Sequence, residues 1–238
     1  MKLTSIRKIS LLLIATFGFG LSLAYAQGSR SVSVKSFDQL TVSSGIDMYL
    51  TQGGTESLTI KGSDDLIKDV VVEQNGSSVV IKYKEGINWS RLFKNQSIKV
   101  YVNYKNIKSL TSSGGSDVYT QNTMKADQLN VRASGGSDVK LTLNCKDLTL
   151  SVSGGSDADL KGTAENMQAS ASGGSDIDAF GFVVNNAKVN VSGGSDANIY
   201  VNKALEAGAS GGSDIHYKGN ASLKKTTSSK SGDINHVN

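Results

Sequence analysis

The pentapeptide Ser-Gly-Gly-Ser-Asp occurs six times in this chain, with its aspartates at Asp117, Asp138, Asp157, Asp176, Asp196 and Asp214. Successive aspartates stand 21, 19, 19, 20 and 18 residues apart, and a degraded copy ending at Asp233 follows 19 residues later. An early relative, Ser43-Ser44-Gly45-Ile46-Asp47, lies far upstream. A fixed period of this length is the mark of a solenoid. So short a unit cannot bury a face alone and must stack on its neighbours.

The residues flanking each pentapeptide alternate strictly between apolar and polar. Before it stand Leu129, Val131 and Ala133, then Leu148, Leu150 and Val152, and so on to Leu205, Ala207 and Ala209. After it stand Val139 and Leu141, Ala158 and Leu160, Ile177 and Ala179, Ala197 and Ile199, and Ile215 and Tyr217. Period-two alternation on both sides of a glycine pair reads as strand, turn, strand, with one side buried and one wet. Residues 31–52 repeat the pattern, with Phe37, Leu40, Val42, Met48 and Leu50 around Gly45, and read as the first coil. Core residues shrink towards alanine in the later coils, which implies a thin cross-section there.

The turn motif is therefore structural. It comprises Gly114, Gly115 and Asp117; Gly135, Gly136 and Asp138; Gly154, Gly155 and Asp157; Gly173, Gly174 and Asp176; Gly193, Gly194 and Asp196; and Gly211, Gly212 and Asp214. These corners take 12 of the 26 glycines, so glycine here serves the turn and not a flexible linker. Glycine reaches backbone conformations that other residues reach only with strain. Serine and aspartate can hydrogen-bond the backbone of their own turn. Stacking also aligns the aspartates in a row, where like charges about 4–5 Å apart repel by roughly 1 kcal/mol in water. Hydrogen bonds from the turn amides are the expected compensation. Calcium held by the carboxylates is the competing reading, as in Gly-Gly-x-Gly-x-Asp rolls, but those have a nine-residue period with glycine at both turns.

Residues 1–26 read as a secretory leader. Lys2, Arg7 and Lys8 precede the apolar stretch Ile9–Leu23, and Ala24-Tyr25-Ala26 has the small-x-small cleavage pattern. Those three basic residues account for most of the formal net charge of +4, so nothing points to nucleic acid. The rest, 27–238, reads as one solenoid domain with no membrane span. Residues 27–104 form irregular N-terminal coils with an insertion at 85–97, and 105–238 hold the regular coils and a polar C-terminal cap. Asn75-Gly76 between two short strands signals a hairpin. The insertion holds the single tryptophan; Trp89, Arg91 and Phe93 make it a candidate binding loop, with an aromatic cap over the core as the plainer alternative. A single cysteine, Cys145, excludes an internal disulfide and reads as a small side chain near the second turn of its coil.

Catalytic signatures are absent. The two histidines are His216 and His236, and there is no HExxH, phosphate loop, CxxC or nucleophile elbow. The outward row Lys140, Asp159, Asp178, Asn198 and His216 imitates the charged clusters of polysaccharide-cleaving β-helices, but Lys140 opposite Asp159 is more simply a cross-coil ion pair. The other outward rows, Asn130, Thr149, Gln168 and Lys188 with Arg132, Ser151, Ser170 and Asn190, form a polar ladder that can dock glycans or proteins. No cofactor or metal is expected.

The run Phe37…Leu40-Thr41-Val42-Ser43-Ser44-Gly45-Ile46-Asp47-Met48-Tyr49-Leu50, the serial corners, and the ending Ser210–Gly219 resemble the head GIN domain, a family of Bacteroidetes auto-transporter adhesin-like proteins. The resemblance covers about residues 30–238. It implies an all-β, right-handed parallel β-helix-like solenoid with coils of about 19–20 residues. It also implies an exported protein of the periplasm or outer surface that binds or adheres, and it carries over no catalytic residue. The ligand, protein or glycan, and self-association stay open. A polysaccharide-active enzyme and a calcium-stabilised structural module are the alternatives.

Overall fold

The alternation seen along the chain becomes the inside and outside of stacked strands. A computed structural model of the protein describes residues 28–87, 97–226 and 231–238. The leader at 1–26 and the candidate loop residues Trp89, Arg91 and Phe93 lie outside the described residues. The described residues form a β-solenoid of about seven turns, with coils of about 19 residues. The apolar positions named above are all buried, the most exposed being Tyr217 at 9%. Each lies over its equivalent in the next coil, as with Leu129, Leu148 and Met167, or Val131, Leu150 and Ala169. Burying one such large aliphatic side chain contributes roughly 1.5–3 kcal/mol, so stacking stabilises what a lone coil cannot.

The repeats are carried by parallel strands: β8 (Ser109–Ser113), β9 (Val118–Thr120), β10 (Met124–Ser134), β11 (Val139–Ser153), β12 (Ala158–Ser172), β13 (Ile177–Ser192), β14 (Ala197–Ser210) and β15 (Ser213–Lys218). β16 (Ser222–Lys225) and β17 (Gly232–His236) complete the last coil on β14 and β15. The sequence suggests a strand ending near Leu143. Instead β11 to β14 run unbroken through the second bend, where a side-chain ladder supports them. Asn166 donates to Asp147 at 2.8 Å, and Asn186 donates to Asn166 at 3.0 Å. In β13 the register shifts after Ala179, which accommodates Phe180 and Gly181 and sends Phe182 fully into the core. The alanine-rich coils are thus filled from the second bend.

The N-terminal third departs from simple stacking. β2 (Gln39–Ser43) and β3 (Ile46–Gln52) form the coil around Gly45, but it is not the end of the stack. β2 pairs with both β6 (Ser78–Tyr83) and β8, and β3 with both β7 (Ile98–Tyr104) and β9. The β6–β7 coil, read later in the chain, therefore lies outside the first one. Beyond it the strands reverse: β5 (Val70–Asn75) is antiparallel to β6, β4 (Ser57–Gly62) to β7, and β1 (Gly28–Val32) to β4. The β5–β6 hairpin turns at Asn75-Gly76, with Gly76 at φ 58°. A helical turn, α1 (Asp64–Ile67), buries Leu66 and Ile67 beside it. The stack thus ends in antiparallel pairings, with β1 and β5 as its terminal strands.

Candidate functional site

Every corner is built the same way. Both glycines have φ near +70°, as at Gly154 (69°) and Gly155 (72°). A side chain on the first glycine would point at the preceding corner, 3.3 Å from the Gly135 amide nitrogen for Gly154, while the second glycine faces open space. The early corner has Ser44 at the first position, φ 72°.

The second serine of each motif is fully buried. Its hydroxyl accepts the amide of the equivalent serine one coil earlier: Ser137 N–H to Ser156 at 2.9 Å, Ser175 N–H to Ser195 at 3.0 Å, Ser195 N–H to Ser213 at 3.1 Å. Ser175 also donates to the carbonyl of Ser172 within its own corner. The aspartates bond in the opposite sense. The amide of Asp176 donates to Asp157, that of Asp196 to Asp176, that of Asp214 to Asp196 and that of Asp233 to Asp214, at 3.0–3.1 Å. This corrects the expectation that each carboxylate is held by its own turn. The donor belongs to the next coil, because tight αL glycines turn the local amides elsewhere while stacking brings the next Asp amide within reach. Serine and aspartate thus clamp successive coils together in opposite directions. Burial, then Asp117, holds Asp47 above the usual carboxylate range against the pull of Lys99, and burial with Asp117 does the same to Asp138.

Two residues after each corner aspartate, one side chain points outward. These side chains form a single row along the solenoid. Tyr101, Tyr49 and Tyr119 lead it, and register then carries it through Lys140, Asp159 and Asp178. Asn198 and His216 continue it. The tyrosines stack at 5.1 and 5.2 Å between centroids, 18° from parallel. Lys61 covers the Tyr101 ring at 4.9 Å, Lys99 lies 5.9 Å from the Tyr49 centroid and Lys140 lies 6.0 Å from that of Tyr119. Tyr119 donates to Asp117, and burial with that carboxylate pushes the phenol up to about 12. The expected Lys140–Asp159 pair is not formed: Lys140 leans to Tyr119, and Asp159 meets Lys161 at 3.9 Å.

Tyr49 and Tyr119 occupy the same place after their corners as Lys140 after its own, so the row's aromatic end was readable from the repeat. Tyr101 follows the insertion, and only tertiary pairing brings it alongside. At the other end of the face Lys218 covers Phe180 at 4.8 Å. A notch of about 200 Å³ lies among Asp138, Lys140, Asp157, Asp159, Asp176 and Asp178. Among the described residues no group of three or more acidic, histidine or cysteine side chains is arranged to hold a metal ion. A groove of about 1000 Å³ runs along the second bend, where Asp38, Glu56 and Asp127 face Lys105, Lys108 and Lys125. Cys145 lies at that bend, half-buried, its thiol pushed up to about 11 by burial and Asp147, which suppresses the reactive thiolate. On the opposite sheet face the polar ladder carries Glu206 between Lys188 (2.8 Å) and Lys224 (3.2 Å).

The family model of the putative auto-transporter adhesin, head GIN domain, matches residues 36–221. The chain belongs to this family. Among solved structures, a putative adhesin from Bacteroides fragilis is similar at 23% identity with a TM-score of 0.80, over 90% of this chain and 98% of that one. A putative adhesin from Parabacteroides merdae is similar at 20% identity and 0.71, over 89% and 96%. A putative lipid binding protein from Parabacteroides distasonis shares the fold at 20% identity and 0.72, over 89% and 97%. At these identities the likeness speaks for the head GIN fold alone. No curated protein matches the chain.

Proposed function

We propose that this head GIN protein is an exported binding or adhesion module of the cell envelope, and that it meets its ligand along the outward row beside the aspartate corners. The leader pattern at 1–26 supports export, and the adhesin family supports the class of role. The observation that carries the choice of surface is the Tyr101–Tyr49–Tyr119 stack running without a break into Lys140, Asp159 and Asp178. Tyrosine is enriched at recognition surfaces, whereas the opposite face offers mostly short polar groups, with Glu206 held between Lys188 and Lys224. Recognition is favoured over catalysis because the family is one of adhesins and Lys140 leans to the Tyr119 ring and not to Asp159.

The test is binding of labelled protein to intact bacterial cells and envelope fractions. Tyr49→Ala combined with Lys140→Ala should weaken binding at least about tenfold, roughly 1.4 kcal/mol. Thr149→Ala with Gln168→Ala on the opposite face should leave it unchanged. Equal loss from both pairs, with both folded, would remove the row as the contact surface.

A further inference from the structure

The geometry points to a linear, neutral polysaccharide as the ligand, laid along the solenoid axis with about one sugar ring per coil. The inference rests on the outward row being the contact surface and adds what that surface selects. Its first support is spacing. Strands of neighbouring coils lie about 4.8 Å apart, and the stacked tyrosines repeat at 5.1 and 5.2 Å. Each coil thus offers one polar group per step. A polymer crossing several coils stays in register only if its own repeat is similar. An extended peptide advances about 3.3 Å per residue and turns alternate side chains away, so it slips out of step within a few coils. A chain of pyranose rings does not.

The second support is chemistry. Both faces of Tyr49 are covered by Tyr101 and Tyr119, and the outer faces of the stack by Lys61 and Lys140. Ring faces are therefore spent, and what the row presents is edges, hydroxyls, amines, carboxylates, the Asn198 amide and the His216 imidazole. Such a mixture of donors and acceptors matches sugar hydroxyls and gives little to an aliphatic ligand.

Charge makes the third argument. The corner aspartates run beside the entire row from Asp47 to Asp214, joined by Asp159 and Asp178. They outnumber the amines of Lys61, Lys99, Lys140, Lys161 and Lys218. An acidic polymer would lie against a column of like charges stacked one per coil. A neutral one would not.

Single contacts of this kind are weak, so affinity must grow with ligand length until the row is spanned. The experiment titrates the full chain by calorimetry with cello-, xylo-, manno- and malto-oligosaccharides of roughly two to eight residues. At least one series should tighten about tenfold or more from disaccharide to hexasaccharide, as added contacts accumulate. Tyr49→Phe, which keeps the stack and removes one hydroxyl, and Asn198→Ala should weaken the longer ligands only. Affinity independent of length, no binding in any neutral series, or tighter binding of oligogalacturonate would overturn the inference. The cell-binding assay separates the two readings. If Tyr49→Ala with Lys140→Ala abolishes cell binding while no neutral oligosaccharide binds, the surface stands and the ligand class falls. If cell binding is untouched, both fall.

Discussion

A single corner shows how two adjacent glycines do different jobs. Gly154 and Gly155 both sit near φ +70°, but only Gly154 has the backbone of the preceding corner, at Gly135, in the path of a side chain. Gly155 faces open space. Asparagine tolerates the left-handed region better than other non-glycine residues. Gly155→Asn should therefore cost less than about 1 kcal/mol, while Gly154→Ala should cost about 1–3 kcal/mol, from strain plus displacement of the neighbouring corner. Urea midpoints of the two variants measure this. Equal costs would mean that close approach between coils contributes nothing. The buried serine next in the motif is fixed by a separate cause. Without its hydroxyl the amide of the preceding coil has no partner, a loss of about 1–3 kcal/mol.

At the level of one ladder, the aspartate column stabilises and destabilises at once. The carboxylates of Asp117, Asp157, Asp176, Asp196 and Asp214 each accept an amide from the next coil, yet stand beside their neighbours' charge. At Asp47 burial and Asp117 outweigh Lys99 and raise the pKa in the folded state. A raised carboxyl holds its proton more tightly when folded. Its contribution to stability is greatest below the unfolded pKa and is lost as pH rises through the folded one. At neutral pH the wild-type protein therefore carries a penalty that Asp47→Asn removes. The variant should melt higher than wild type at pH 7, and the gap should close as pH falls into the carboxylate range. The ion pairs of Asp38 and Glu206, half-buried carboxylates with exposed lysine partners, act oppositely, since their lowered carboxyls lose stabilisation on acidification, but surface pairs contribute little. A variant less stable than wild type at pH 7 would show that the charge itself is needed at this corner.

Along the whole molecule, serine and aspartate join successive coils by direct hydrogen bonds. Addition of millimolar calcium should shift the melting temperature by less than about 2 °C, and chelator should not unfold the protein. A bridging calcium at a hundredfold excess over its Kd would instead add about 2.7 kcal/mol, or roughly 5–10 °C for a domain of this size. A shift of that size, abolished by Asp157→Asn and Asp176→Asn, would make the corners metal sites. The two ends of the solenoid differ as well. The antiparallel pairings of β1, β4 and β5 finish one end, and the short strands β16 and β17, with exposed Lys224 and Lys225, finish the other. Charge on a terminal edge discourages pairing with another chain.

The repeat determined much of this protein by itself. The coil length, the buried positions from Leu129 to Tyr217 and the hairpin at Asn75-Gly76 follow from local rules: period-two alternation, glycine's access to positive φ, and turn chemistry. So does all of the outward row except Tyr101, because every coil places the residue two after its aspartate on the same line. Three things were decided only in the tertiary structure. The coil of β2 and β3 lies between β6–β7 and β8–β9, since strand pairing is chosen by available edges and not by chain order. Tyr101 joins Tyr49 and Tyr119 for the same reason, completing the aromatic end of the row. The aspartates bond to the next coil and not to their own turn because amide direction depends on how corners stack, and stacking is a relation between residues some 18–21 apart in sequence.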